Sequence, residues 1–156
     1  METQVTRYLE ERGIPFTLKQ HKVPALTCET AAAERGVRVS QIVKCMVGET
    51  DGESYVVMLI PGDKLLKSSK ARKWLKSSTL NLIPPARLAE DLGLTVGAIS
   101  PIQLVDKAVI LMDPSVLLEE IVDISSGDPL AGVELSSKAL QETLGAALVD
   151  MISRST

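Results

Sequence analysis

The sequence predicts a mixed α+β fold, and three observations carry that expectation. Residues 41–47 and 54–60 are two β-rich runs joined by Gly48, Glu49, Thr50, Asp51, Gly52 and Glu53, a polar turn whose Asp-Gly pair suits an antiparallel hairpin. Helical patterns bounded by caps and glycines interrupt the strands without the regular strand–helix alternation of a doubly wound parallel sheet. No composition break, repeat or low-complexity tract divides the chain, so its 156 residues are expected to form a single domain, residues 1–156.

In order along the chain, Val5, Tyr8, Leu9 and Arg12 fall at helical spacing, and Gly13 before Pro15 ends that helix. Residues 16–20 read as a short extended segment. Thr27 is a plausible N-cap for an alanine-rich helix through Glu34, closed by Gly36. After the hairpin, Pro61-Gly62-Asp63 breaks the second strand, and Ser68 or Ser69 can cap a helix with an apolar face of Ala71, Trp74 and Leu75. Pro84-Pro85 opens a helix, Arg87 to Leu92, that stops at Gly93. Residues 108–112 read as a buried strand, residues 120–125 as a half-exposed alternating strand, and residues 133–135 as a last short strand. Ser136 or Ser137 then caps a closing helix to about Ile152.

Composition excludes several function classes. The longest apolar run, Tyr55 to Pro61, is far below the roughly 20 residues that span a bilayer. The amino end has neither the basic start nor the apolar stretch of a signal peptide, and two isolated cysteines, Cys28 and Cys45, fit a reducing interior. A cytoplasmic protein without membrane partners is therefore expected. The scarcity of aromatics (Tyr8, Phe16, Tyr55, Trp74) argues against a stacking platform of the kind used for single-stranded nucleic acid. A net charge of −3 gives no general affinity for phosphate backbones, so any nucleic-acid contact must come from a local patch. No glycine-rich phosphate loop is present, and one histidine with two unpaired cysteines cannot assemble a structural zinc site. No cofactor and no metal are expected.

Some residues stand out chemically. Lys44 interrupts an apolar strand, sharing a face with Ile42 and Met46 while Val43, Cys45 and Val47 take the other. Such an ammonium either snorkels to water or meets an anion in a cleft. Gly97-Ala98-Ile99-Ser100-Pro101 is a loop whose glycine allows close approach of a ligand to the backbone, where N–H groups can face a developing oxyanion. Between Lys64 and Lys76 lie six basic residues (Lys64, Lys67, Lys70, Arg72, Lys73, Lys76) and no acid; the run is either a solvated face or a docking site for a polyanion. His21 and Cys45 lie in separate segments with no activating pattern, so a thiol nucleophile is a weak reading. Any catalysis would then position water or a substrate group.

Taken together, the order Thr27-Cys28-Glu29-Thr30-Ala31-Ala32, Gln41-Ile42-Val43-Lys44, Gly62-Asp63, Gly97-Ala98-Ile99-Ser100-Pro101, Ser126-Gly127 and Val133-Glu134-Leu135 resembles the YbaK family of aminoacyl-tRNA editing domains. That family includes freestanding deacylases and the editing insertion of bacterial prolyl-tRNA synthetases. The resemblance implies a strongly twisted, partly barrel-like mixed sheet flanked by helices. It also implies hydrolysis, in trans, of the ester of a tRNA mischarged with a small amino acid, cysteine or alanine, with tRNA-Pro a candidate carrier. By the same likeness Lys44 holds the phosphate region of the terminal adenosine, Gly97 offers its backbone to the aminoacyl end, and Pro101 shapes the loop. Thr27, Cys45, Gly62, Asp63, Ser100, Ser126 and Glu134 complete the implied substrate site. The implied partners are the acceptor end of aminoacyl-tRNA and an aminoacyl-tRNA synthetase. The basic run is assigned to the acceptor stem on charge alone. Cys45 where threonine is common, a late loop without basic residues, and Glu134 in place of a shorter acid all bear on pocket shape. The alternative is a non-catalytic module that binds tRNA or a synthetase.

Overall fold

The computed structural model describes residues 1–51 and 54–154. Its strands are β1 (Thr17–Gln20), β2 (Val43–Thr50), β3 (Ser54–Pro61), β4 (Asn81–Leu82), β5 (Ala108–Met112), β6 (Ile121–Ser125), β7 (Ala131–Ser136) and β8 (Ala147–Leu148). The helices are α1 (Gln4–Glu11), α2 (Cys28–Arg35), α3 (Ser68–Leu75), α4 (Pro85–Leu92) and α5 (Ser137–Leu144). Five strands form a mixed sheet in the order β4-β2-β3-β5-β8, and three form an antiparallel sheet in the order β1-β7-β6. The α+β class is as expected. The partly barrel-like single sheet is not: two separate open sheets are linked by one parallel bridge between Ile42 and Asp123.

The hairpin has the expected pairing, with β2 and β3 in register from Val43 opposite Pro61 to Thr50 opposite Ser54. Gly52 and Glu53 of its expected turn lie outside the described residues. β3 is buried on both faces, which explains its unbroken apolar run. Val57 and Leu59 face a core between the two sheets, shared with Ile110, Met112, Val122, Ile124, Val133 and Leu135. Val56, Met58 and Ile60 face a second core closed by Ala71 of α3 and by Val149 and Met151.

Capping chemistry sets most of the helix ends. The Thr27 hydroxyl accepts from the Thr30 amide at 3.1 Å, and Gly36 ends α2 in the left-handed conformation. α4 opens at Pro85 and stops at Gly93 as anticipated. Neither Ser68 nor Ser69 caps α3; Lys67 occupies that position without a side-chain bond.

Three expectations fail for tertiary reasons. The closing helix ends at Leu144, not near Ile152, because Gly145 turns left-handed and Ala147–Leu148 pairs parallel to β5. β6 does not alternate between core and solvent: Val122, Asp123 and Ile124 are all buried, since the strand runs along the seam between the sheets. The short strands β4 and β8, which carry no sequence signal of their own, exist as additions to existing edges. No helix among the described residues is long and apolar enough to cross a membrane.

Because Leu59 is fully buried at the centre of the main core, Leu59→Ala should lower unfolding stability by about 3 kcal/mol, from lost transfer energy and the residual cavity. Leu118→Ala, at a site 84% exposed, should stay within about 0.5 kcal/mol. Urea denaturation of the two variants compares them directly.

Candidate active site

β2 pairs with β3 along its whole length, but its other edge is covered only at the ends. β4 lies opposite Gly48 and Glu49, and Asp123 bridges to Ile42. The Ile42 carbonyl accepts from Gly62 and the Val47 carbonyl accepts from Ile83, so antiparallel alternation turns the backbone of Cys45 toward the open edge. No strand lies opposite it. A cleft of about 230 Å³ occupies that gap. Its walls come from Leu26 to Cys28 before and into α2, Ile42 to Val47 of β2, Leu82 to Leu88 around the start of α4, Gly97 and Ile99, and Ser125.

Lys44 and Gly97, the two residues assigned the central roles, line this one cleft. Lys44 is half-buried, and its Nζ donates to the Lys64 carbonyl at 2.8 Å. No carboxylate among the described residues is within ion-pair reach of it. An ammonium has three donors, so the cation keeps both charge and hydrogen-bonding capacity for an incoming anion.

Gly97 has φ +84, a conformation that favours glycine, and a Cβ there would sit 2.5 Å from Cδ2 of Leu26, so that exposed side chain would have to move. Among the described residues its amide donates to no acceptor, which leaves a donor at the cleft wall. Leu26 is 64% exposed yet rests on this glycine; nothing in the sequence pattern singled it out.

Thr27 and Cys45 also line the cleft. The Thr27 hydroxyl is already committed to the start of α2, accepting from the Thr30 amide and donating to Thr30 Oγ1 at 2.9 Å. Burial pushes the Cys45 thiol up to about 12, so at neutral pH it is a small apolar wall group with no useful thiolate fraction. Cys28, at the first turn of α2, is raised too, by burial that outweighs the nearby Lys44 charge.

The remaining assigned residues lie outside the cleft lining. Gly62 is a packing glycine whose Cβ would meet the Val39 carbonyl at 2.7 Å. Asp63 faces a separate groove with Lys64, Asp113 and Asp150. Ser100 and Pro101 are buried behind Ile99, where Pro101 opens a 3-10 turn. The buried Ser126 hydroxyl donates to the Ala131 carbonyl at 2.6 Å and accepts from the Asp128 amide, stapling the late loop; its neighbour Ser125 faces the cleft instead.

Glu134 pairs with Lys19 and lies directly opposite Asp123 across β7 and β6. Asp123 is fully buried, and neither of its carboxylate oxygens has a donor while both acids are ionised. Burial, with Glu134 adding to it against the Lys19 and Arg35 charges, raises the Asp123 carboxyl to about 7. The proton it then carries can bridge to Glu134.

Comparison with known proteins places this cleft in context. The model of the aminoacyl-tRNA editing domain matches residues 22–146, most of the chain. The chain belongs to that family. The proline–tRNA ligase of Thermotoga maritima is 34% identical over 96 residues, which is 61% of this editing-domain chain but 16% of the ligase. The solved structure of hypothetical protein APE2540 superimposes with a TM-score of 0.88 at 27% identity, covering 97% of this chain and 100% of that one. A structure described as a candidate trans-editing enzyme for prolyl-tRNA synthetase has the same fold, with a TM-score of 0.83 at 23% identity over 98% and 99% of the two chains.

The Asp123 carboxyl gives a pH-dependent stability of defined sign. With its folded value near 7 and its unfolded value near 3.9, its contribution is present at low pH and lost as pH rises through 7. Asp123→Asn should therefore be more stable than the parent at pH 8, by at least about 1 kcal/mol, and should flatten the profile between pH 5 and 8. Thermal melts across that range read both effects.

Proposed function

We propose that this chain is an aminoacyl-tRNA deacylase acting in trans, removing a small wrong amino acid, cysteine or alanine, from a mischarged tRNA. The observation that supports it best is a cation without a carboxylate partner and a glycine amide without an acceptor on the walls of one small cleft. The editing-domain family match supports the reaction class.

In this reading Lys44 Nζ binds the phosphate region of the terminal adenosine. The Gly97 amide donates to the ester carbonyl oxygen as it becomes an oxyanion. Water adds to the carbonyl carbon, the C–O bond to the ribose breaks, and the proton passes to the ribose oxygen. The products are a free amino acid and a tRNA with a free terminal hydroxyl. An aminoacyl ester is activated already, so positioning and preorganised donors can supply much of the rate without a nucleophilic side chain. A Cys45 thiol near 12 agrees with a mechanism that uses none.

Size supports a small substituent. A cleft of about 230 Å³ is below the roughly 300–1,000 Å³ of sites for drug-sized ligands, a size that suits a single aminoacyl group. Thr27 and Cys45 would touch the aminoacyl group, while Gly62, Pro101 and Ser126 hold the surrounding loops in place. Ser100, Asp63 and Glu134 lie outside the cleft lining, so no contact with the aminoacyl group is assigned to them. The likeness to part of a proline–tRNA ligase makes tRNA-Pro the first carrier to test and that synthetase the first partner. The basic residues Lys64, Lys67, Lys70, Arg72, Lys73 and Lys76 would meet the RNA.

A panel of mischarged tRNAs incubated with the protein, with released amino acid followed over time, tests this directly. Lys44→Ala should abolish release, a loss of at least about 100-fold, with an unchanged circular-dichroism spectrum. Cys45→Ser should keep turnover. Unchanged release by the Lys44 variant would refute the assigned role, and tRNA binding without release on any substrate would favour a recruiting module.

A further inference from the structure

Among the four aromatic residues, Tyr8, Phe16 and Tyr55 pack against the main core, whereas Trp74 is 50% exposed on α3. Exposing the chain's single tryptophan forgoes the burial that would otherwise favour it. Its neighbours on the helix explain the placement. Ala71 is buried and Leu75 half-buried against the second core. Trp74 instead follows Lys67 and Lys70 at spacings of seven and four, on the flank of α3 that those lysines share.

That flank is cationic and mostly uncompensated. Lys70 is the one basic residue of the run with an acidic partner among the described residues, Asp150 at 3.1 Å, and it also donates to the Ile152 carbonyl. The Arg72 guanidinium turns to the Ser77 carbonyl. Lys64, Lys67, Lys73 and Lys76 are exposed, and among the described residues none of them forms an ion pair with a carboxylate. The approach to α3 is stiff as well: Lys67 donates to the Met151 carbonyl at 2.7 Å, and Leu66 bridges to Ile152. The start of the run also touches the cation of the cleft, because the carbonyl that holds the Lys44 ammonium belongs to Lys64.

We propose that α3 is the docking face for the single-stranded 3′ end of tRNA that leads to the charged nucleotide, with Trp74 stacking on a base and Lys67, Lys73 and Lys76 meeting phosphates. The helix is about 12 Å long, enough for about three stacked nucleotides. A ring between lysines suits a splayed single strand, whose bases expose their faces; a paired stem offers that surface only phosphates. The inference rests on aminoacyl-tRNA being the substrate, and it adds which strand of that RNA is held and by which ring.

Trp74 is its own reporter. Its fluorescence in the full chain is titrated with uncharged tRNA, with a short single-stranded RNA of the same 3′ sequence, with a blunt RNA duplex, and with anionic lipid vesicles. Quenching by tRNA and by the single strand, with little from the duplex or vesicles, supports the proposal. Trp74→Ala should raise KM for a hydrolysed mischarged tRNA about 10-fold with kcat unchanged, Trp74→Phe should recover most of that loss, and the salt dependence should be unaltered. Lys73→Ala should instead lower the salt slope of tRNA binding by about 1. Equal quenching by the duplex, quenching by vesicles alone, or an unchanged KM in Trp74→Ala would overturn it. Quenching by uncharged tRNA without hydrolysis of any substrate would leave this surface standing and remove the deacylase reading; hydrolysis with a silent Trp74 would do the reverse.

Discussion

The rest of this structure depends on a sheet edge that is left unfilled. β2 is committed along one side to β3, and on the other side partners reach it only at Ile42 and at Gly48–Glu49. A strand laid across residues 43–47 would satisfy the backbone and abolish the cleft. The chain instead surrounds the gap with the Thr27-capped start of α2, the proline-led start of α4 and the bend at Gly97. Unpaired edges invite aggregation, and short flanking strands with a covering helix and loop are a common way to blunt them. Here the cover stops short of closure, and the backbone of Cys45 remains turned toward a ligand-sized space.

Two charged groups near this seam are handled in opposite ways. The Lys44 ammonium is held by a carbonyl and left without an anion. The Asp123 carboxyl, on the strand that bridges to Ile42, is buried beside a second acid and is raised to about 7, so below neutral pH it is mostly protonated. A buried acid that neutralises itself imposes little field on its surroundings. The positive end of the cleft has no carboxylate partner among the described residues, even though the chain as a whole is net negative.

Local chemistry made much of this legible in the sequence. The hairpin, the Thr27 cap, the Pro85 start and the Gly93 stop follow from turn and cap preferences acting within a few residues, and all are present. Local anomalies, a charge in an apolar strand and a glycine in a loop, singled out Lys44 and Gly97, but only the family resemblance put the two in one site. Long-range pairing was not legible. Ala147 and Leu148 suit a helix as well as a strand, and only β5 beside them decides. Asp123 looks like the solvent side of an alternating strand until the second sheet buries it. Ser126 and Ser125 differ by one step in a period of two, so the sequence could not say which faced the cleft. Leu26, an exposed apolar residue, carries no signal until the fold seats it on Gly97.

The thiol at the cleft bears on what kind of catalysis this fold permits. Cys45 lines the cleft, yet the burial of its side chain holds the thiol near 12, where the reactive thiolate is scarce. Lowering that value would take a cation over the sulfur, and the cation available, Lys44, sits on the alternate face of the same strand with its ammonium drawn to Lys64. Period-two geometry thus separates the charge from the sulfur by construction. A strand that carries its cation and its thiol on adjacent residues cannot aim both at one atom, so the same backbone that opens the cleft also disfavours covalent chemistry within it. Positioning a water against an activated ester is the task such a site remains equipped to perform.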